Sequence, residues 1–262
     1  MSEQTKTEDV VKRVREALMD KTPFLLTRLG DGEDLAMRSV GVHDTGAIEN
    51  LPWNKHLGYV PTDADKQQWQ DLSLASISDS DLLGLHPVDS TQGMEFRRSG
   101  NSLRLRLGDA IKEECSANIH LDIMRDRLHQ MLAEPAQGVW LMTGHPIARG
   151  FRSDIWKGKN PKLVKWFILP LQNRYFGQKT SWESWTDGIL PDIKKLPEMR
   201  GWLVLFGGGI PGKAMLGALK ERGGVVVDIG SVFDHWAGFL TRGKGKGRGK
   251  LNTAWKLGKE GK

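Results

Sequence analysis

The chain predicts an α/β fold of the Rossmann-like kind, a mostly parallel sheet with helices on both faces. Three observations predict it. The second half holds four short apolar runs, "GVWLMTGH" (138–145), "KWFILP" (165–170), "GWLVLFG" (201–207) and "GGVVVDIG" (223–230), each ending in turn-forming residues. Helical or polar segments separate them, and near-continuous apolar runs are what strands covered on both faces require. Near the N-terminus "FLLTRL" (24–29) is one more such run, followed at once by a polar, helix-like segment. In this layout the functional loops fall at the carboxyl ends of the strands.

Each element can be justified in order. Residues 10–19 have helical spacing, and Thr22 with Pro23 stops that helix before the first strand. A second helix is expected to begin near Asp31. Residues 41–65 are rich in Gly, Pro, Asn and isolated aromatics, which predicts an irregular segment of the sort that often carries specificity. A polar helix over 64–77 comes next, then a short strand "DLLGLHP" (81–87) and an irregular stretch. A long helix is expected from about Ser102 to Leu132, with a break near Ser116. No internal repeat is visible. With 262 residues and 39% hydrophobic content the chain can bury a full core, so one domain is expected over 1–240.

Composition narrows the partners. No run approaches the roughly 18 uninterrupted apolar residues of a membrane-spanning helix. The N-terminal "MSEQTKTEDVVKRVREALMDK" reads as a charged amphipathic helix rather than a signal peptide, so a cytoplasmic protein is expected. The single cysteine, Cys115, leaves no internal disulfide and no thiolate metal cage. The net charge of +6 resides in the tail: residues 241–262, "TRGKGKGRGKLNTAWKLGKEGK", carry +7 and the preceding 240 residues −1. Alternating Gly and Lys has no apolar face and much backbone entropy to lose, so the tail is expected to be flexible unless an anion orders it. It reads either as a solvated segment or as the contact for nucleic acid, anionic lipid or a diphosphate.

Three constellations could carry chemistry. In "LVLFGGGIPGKAMLGALKERGGVVVDIG" a strand ends at Gly207, GxGxxG occupies 207–212, a helix comes after it, and Asp228 closes the next strand. Glycines there (Gly207, Gly208, Gly209) would let the backbone approach a pyrophosphate, with Asp228 accepting from ribose hydroxyls, or they would serve a tight β-α turn by geometry alone. In "LLTRLGDGEDLAM" (25–37), Asp31 and Glu33 flank Gly32 after Gly30. They could offer hard oxygens to Mg²⁺ or Mn²⁺ that also holds substrate phosphates, with Arg28 on a phosphate; equally, they could cap and complement a helix N-terminus. In "DIGSVFDHWAG" (228–238), Asp234 and His235 near Ser231 could supply a general base, or cap the helix and pack. Other strand ends add His145, Arg149, Asn173 and Arg174. Single residues of this kind are more often structural than catalytic. Convergence of several strand ends on one sheet edge would make them a single cleft. Ten tryptophans, among them Trp53, Trp182 and Trp185 in irregular segments, are compatible with stacking on sugars or bases, though packing is the commoner fate.

"TRLGDGE", the apolar strand before "ILPLQNRY", and "LVLFGGGIPGKAMLGALKERGGVVVDIG", in this order and spacing, resemble the glycosyltransferases of the GT-D fold. In them an Asp-x-Glu motif is associated with a divalent metal and a sugar nucleotide, and the late segment completes the nucleotide pocket. Position by position the resemblance implies that Arg28, Gly30, Asp31, Gly32 and Glu33 fall on the first motif. Asn173 falls on an asparagine after the "ILP" strand, and Asp228 and Gly230 on the last motif. This chain departs from the family at Ser231, where typical members have a histidine, with Asp234 and His235 displaced.

The function expected is a metal-dependent transfer of a sugar from a nucleoside diphosphate donor to an acceptor hydroxyl. Asp31 and Glu33 would hold Mn²⁺ or Mg²⁺, Arg28 and Lys213 would contact phosphates, and Asp228 would orient the donor. Asp234 or His235 would take the acceptor proton. The acceptor is a glycan, lipid-linked or not, or a polyanion such as modified DNA reached through the tail. Two alternatives differ in class: an NAD(P)- or S-adenosylmethionine-dependent enzyme built on the 207–212 turn, and a nucleic-acid-binding protein acting through its basic tail.

Overall fold

A computed structural model describes residues 4–87, 94–123, 137–145, 163–170, 179–237, 239–240 and 247–248. Seven strands make one sheet: β1 (Phe24–Arg28), β2 (Leu82–Leu85), β3 (Glu114–Ser116), β4 (Gly138–Thr143), β5 (Val164–Ile168), β6 (Trp202–Gly207) and β7 (Val225–Asp228). Their order is β3-β2-β1-β7-β6-β4-β5, and every pairing in the sheet is parallel. The chain enters at the centre, builds outward through β2 and β3, crosses to the other half, and returns to lay β7 beside β1. The first and last strands are therefore neighbours, with Leu26 opposite Val227. The direction of strand building reverses between them, which is where an open parallel sheet leaves a crevice at its carboxyl edge.

Alternate residues of each strand supply two separate cores. Phe24, Leu26, Leu203, Leu205, Val225 and Val227 meet Val10, Val14 and Leu18 of helix α1 (Thr7–Asp20) on one face. Leu25, Leu83, Val204, Phe206 and Val226 meet a larger second layer on the other. That layer includes α2 (Asp31–Arg38), α3 (Leu51–His56), α4 (Asp63–Ser78) and α5 (Met94–Leu107). Both faces being covered explains why the strands read as apolar runs rather than alternating ones.

Helix α4 braces the part of the fold that carries the late glycine motif. Thr62 caps it reciprocally with Asp65: the Asp65 amide donates to Thr62 Oγ1 at 3.2 Å and the Thr62 amide to Asp65 Oδ2 at 3.2 Å. Trp69 then donates its indole N–H to the Ile210 carbonyl at 2.8 Å, and Ser76 Oγ accepts from the Gly217 amide at 3.0 Å. Trp53 packs edge-on against Trp69 with ring centroids 5.0 Å apart. Trp53, Trp182 and Trp185 are all buried, so the packing role holds for these three tryptophans.

Strand positions in the second half agree with the apolar runs, and α2 begins at Asp31 as expected. Two readings need correction. The long helix expected over 102–132 begins earlier, at Met94, and stops at Leu107, Glu114–Ser116 is instead the edge strand β3 beside β2, and residues 124–132 lie outside the described residues. Three residues give no period, and the charged surroundings "KEEC" look helical, so only the pairing with β2 reveals the strand. The segment 41–65 is not irregular throughout, because Pro52 opens the short helix α3 and buries Trp53. Two residues of the basic tail, Gly247–Arg248, form a two-residue antiparallel ladder with Phe239–Leu240. No helix among the described residues is long and apolar enough to cross a membrane. Cys115 lies in the core, where burial pushes its thiol up to about 12; a thiol that stays protonated is inert.

Candidate functional site

The early acidic turn and the late glycine turn face one another across a single cleft at the carboxyl edge of the sheet. Its walls are Arg28 to Glu33 after β1, Gly209, Ile210 and Lys213 after β6, and Gly230, Ser231 and Asp234 after β7. His56, His86, Ala117 and Asn118 complete the lining. The two turns also touch, since a Cβ on Gly32 would stand 3.3 Å from the Ile210 side chain. Their wide separation in sequence is erased by the pairing of β1 with β7.

At the base of the cleft lies a cluster of charges. Lys213 comes directly after the helical turn Gly209–Gly212, and its ammonium contacts Asp228 Oδ2 at the end of β7 and stands 3.4 Å from Glu33 Oε1. Lys213 is 5% exposed and Asp228 2%. The other Glu33 oxygen, Oε2, accepts from the Gly30 amide at 2.9 Å, closing the first turn of α2 on itself. Burial acts to raise the Glu33 pKa. The Lys213 ammonium, the amides of Gly30 and Glu33 and the nearby His56 together outweigh it, leaving the carboxyl below its ordinary 4.5. Glu33 is thus a charged, doubly engaged carboxylate. Asp31 differs: it is exposed, lines the cleft, and its side chain makes no hydrogen bond or ion pair among the described residues.

Arg28 lines the cleft and also ties its walls together. Nε donates to the Asp228 carbonyl at 2.9 Å, Nη1 donates to the Ala117 carbonyl at 2.8 Å and contacts His120 Nδ1, and the Arg28 amide reaches Asp228 Oδ2 at 3.3 Å. This one side chain joins the ends of β1, β7 and β3. Gly230 takes φ +45° beneath it, and a Cβ there would lie 2.7 Å from Nη2, so both the turn and the close approach require glycine.

The glycines of 207–212 divide by role. A Cβ on Gly207 would meet the Phe233 ring at 2.4 Å, and Cβ atoms on Gly208 and Gly212 would each meet the Phe206 ring at 2.7 Å. Those three serve packing. Gly209, at φ +61°, is the one of the four that lines the cleft.

A second polar pair flanks the cleft. Asp234, in the short helix Val232–Trp236, contacts His145 Nε2 through Oδ1 at 2.8 Å, and both side chains are more than nine-tenths buried. The His145 amide donates to Thr143 Oγ1 at 3.1 Å, fixing the turn after β4. The Ser231 hydroxyl oxygen is buried and has no hydrogen-bond partner among the described residues. The backbone of His235 lies in the same helix as Asp234. Asn173, Arg149 and Arg174 lie outside the described residues.

His56, His86 and Asn118 join the site without a signal of their own in the sequence reading. His86 stands at the carboxyl end of a strand that was expected, so the strand-end rule could have found it. Asn118 comes just after β3, which the sequence does not disclose. His56 ends α3, inside the segment expected to be irregular.

An all-parallel α/β sheet with a polar cleft at the point where its strand order reverses defines an α/β protein of the doubly wound class, a class whose ligands enter at such a crevice. Residues 5–137, just over half of the chain, match the GT-D fold-like domain, and the chain belongs to that family. At family level its fold is glycosyltransferase-like. Neither the curated proteins nor the solved structures yield a match. The matched region ends where β4 begins, so it holds β1, β2 and β3 and the early acidic turn, while the late glycine turn lies beyond it.

Proposed function

We propose that this chain is a metal-dependent glycosyltransferase that moves a sugar from a nucleoside diphosphate donor to an acceptor hydroxyl. The observation that carries the reading is the meeting of the Asp31–Glu33 turn with the Gly209–Lys213 turn in one polar cleft of a glycosyltransferase-like fold. The residues present fit a hard divalent cation. Asp31 offers an exposed carboxylate with no partner among the described residues, and Glu33 stands two positions on, its charge maintained at neutral pH. Mg²⁺ and Mn²⁺ need only one or two protein carboxylates when substrate phosphates and water complete the shell. Asp31 would hold the cation, with Glu33 held in place behind it by Gly30 and Lys213. A bound cation supplies neutralisation of the leaving diphosphate, where charge builds as the sugar departs.

The chain's own residues do the rest. Lys213 would add a buried positive charge for the diphosphate, while it helps to keep Glu33 charged and contacts Asp228. Gly209 lets backbone approach the donor, and the Ser231 hydroxyl offers it a donor or acceptor. Gly30 and Gly32 keep the wall between them low, and Arg28 holds the Asp228 turn at the cleft. Asn173 would add a donor contact. The acceptor is a glycan or a polyanion such as modified DNA, brought in by the basic tail, whose +7 charge is set against a near-neutral body.

A thermal-shift panel tests this reading: nucleoside diphosphate sugars, NAD(P) and S-adenosylmethionine, each with and without Mn²⁺. A sugar nucleotide at a hundred times its dissociation constant should add about 2.7 kcal/mol of stability, and only with Mn²⁺ present. Stabilisation by NAD(P) or S-adenosylmethionine without metal, and none by any sugar nucleotide, would replace the transferase with a cofactor-dependent enzyme.

A further inference from the structure

The buried contact between His145 and Asp234 serves no purpose that the donor side of the cleft explains. It joins two distant strand ends, the turn after β4 and the helix after β7. Asp234 lines the cleft and His145 stands behind it, away from the cleft wall. A carboxylate accepts only, so the imidazole Nε2–H donates to Oδ1 across 2.8 Å. The Thr143 hydroxyl in turn anchors the His145 amide. A carboxylate more than nine-tenths buried and pinned by an imidazole has lost the freedom of a surface aspartate. It presents one fixed face to whatever enters beside Ser231.

We propose that Asp234 is the group that takes the proton from the attacking hydroxyl, and that His145 is the positioning residue that holds it for that task. This rests on the transferase reading above. The acceptor oxygen forms its bond to the anomeric carbon. The bond from that carbon to the diphosphate oxygen breaks, its electron pair leaves with the diphosphate, and the hydroxyl proton passes to the Asp234 carboxylate. The lost negative charge of Asp234 balances the charge gained by the departing diphosphate. The assignment falls on Asp234 because its carboxylate lines the cleft with a fixed partner.

The test uses the full chain, with UDP-glucose and GDP-mannose as donor probes, Mn²⁺ present and water as the acceptor, reading both calorimetric donor binding and the release of nucleoside diphosphate. Asp234→Asn should lower kcat by about 10²- to 10⁴-fold, as loss of a general base does, with the donor Kd unchanged within about threefold. His145→Gln should lower kcat by about tenfold or more while KM for the donor stays within about threefold. Thr143→Val gives a milder version of the same split should the histidine variant fold poorly. The proposal is overturned if Asp234→Asn keeps kcat within about threefold of the parent, or if the His145 and Thr143 variants lose thermal stability without a kcat effect. Failure of both donors to bind the parent chain is a different result: it removes the transferase reading, and this proposal with it.

Discussion

The two turns that build the cleft are unlike in how they use their residues. The early turn, Gly30 to Glu33, presents side chains: Asp31 faces solvent in the cleft and Glu33 carries charge into its base. The late turn, 207–212, mostly presents glycines to its own core, with Gly207 against Phe233 and Gly208 and Gly212 against Phe206. A glycine-rich motif at a strand end invites a phosphate-cradle reading, yet three of its four glycines are explained by aromatic rings packed where side chains would be. The chemistry of the late turn lies instead in its next residue, Lys213, and in the two carboxylates that lysine reaches, Glu33 and Asp228. Exposed charge and packing are thus divided between the turns, and Lys213 is the link.

Substitutions graded along that division should break or sharpen it. The largest effect is expected for Lys213→Met, which leaves the buried Asp228 and the partly buried Glu33 without their shared cation. Removal of one partner from such a cluster costs about 3–5 kcal/mol, measurable by urea unfolding. A loss under about 1 kcal/mol would show that Lys213 serves ligand rather than fold. Gly207→Ala comes next at about 1–3 kcal/mol, because its methyl group collides with Phe233. Tolerance of that change, together with weakened ligand binding, would return the late turn to a phosphate-cradle role.

Glu33→Gln should cost about 1–3 kcal/mol, since it weakens charge-assisted bonds to Lys213 and the Gly30 amide. It should also change the pH response. The folded pKa of Glu33 lies below its ordinary 4.5, so its contribution is present above that value and is lost as pH falls through the folded value. In chelator, unfolding stability measured downward from about pH 5 should therefore fall less steeply in Glu33→Gln than in the parent. The smallest stability effect belongs to Asp31→Asn, within about 0.5 kcal/mol, because an exposed side chain with no partner among the described residues holds nothing together. Loss of transfer with unchanged stability in Asp31→Asn would mark it as a site residue. A stability loss matching that of Glu33→Gln would make both residues helix caps.

Much of the sheet was legible because buried parallel strands are written as continuous apolar runs between glycines, as at 202–207 and 225–228. The strand β3 was not legible, because three residues held by pairing with β2 leave no pattern of their own. The acidic and glycine motifs were equally visible. What the glycines do was not, since the rings of Phe206 and Phe233 reach them only in the folded chain. His145 and Asp234 were each visible as strand-end or helix residues, but they lie far apart along the chain and no local pattern encodes their contact.

By itself, then, the order of residues determined the class of fold, the basic tail and the acidic turn after the first strand, because hydrophobic periodicity, charge and turn chemistry are local properties. Only the tertiary structure decided that the first and last strands lie side by side. That adjacency brings Glu33, Lys213 and Asp228 into one cluster and leaves Asp31 open to the cleft. Strand order in a parallel sheet depends on how crossovers pack over both faces, a competition among all the helices at once, so no single segment carries it.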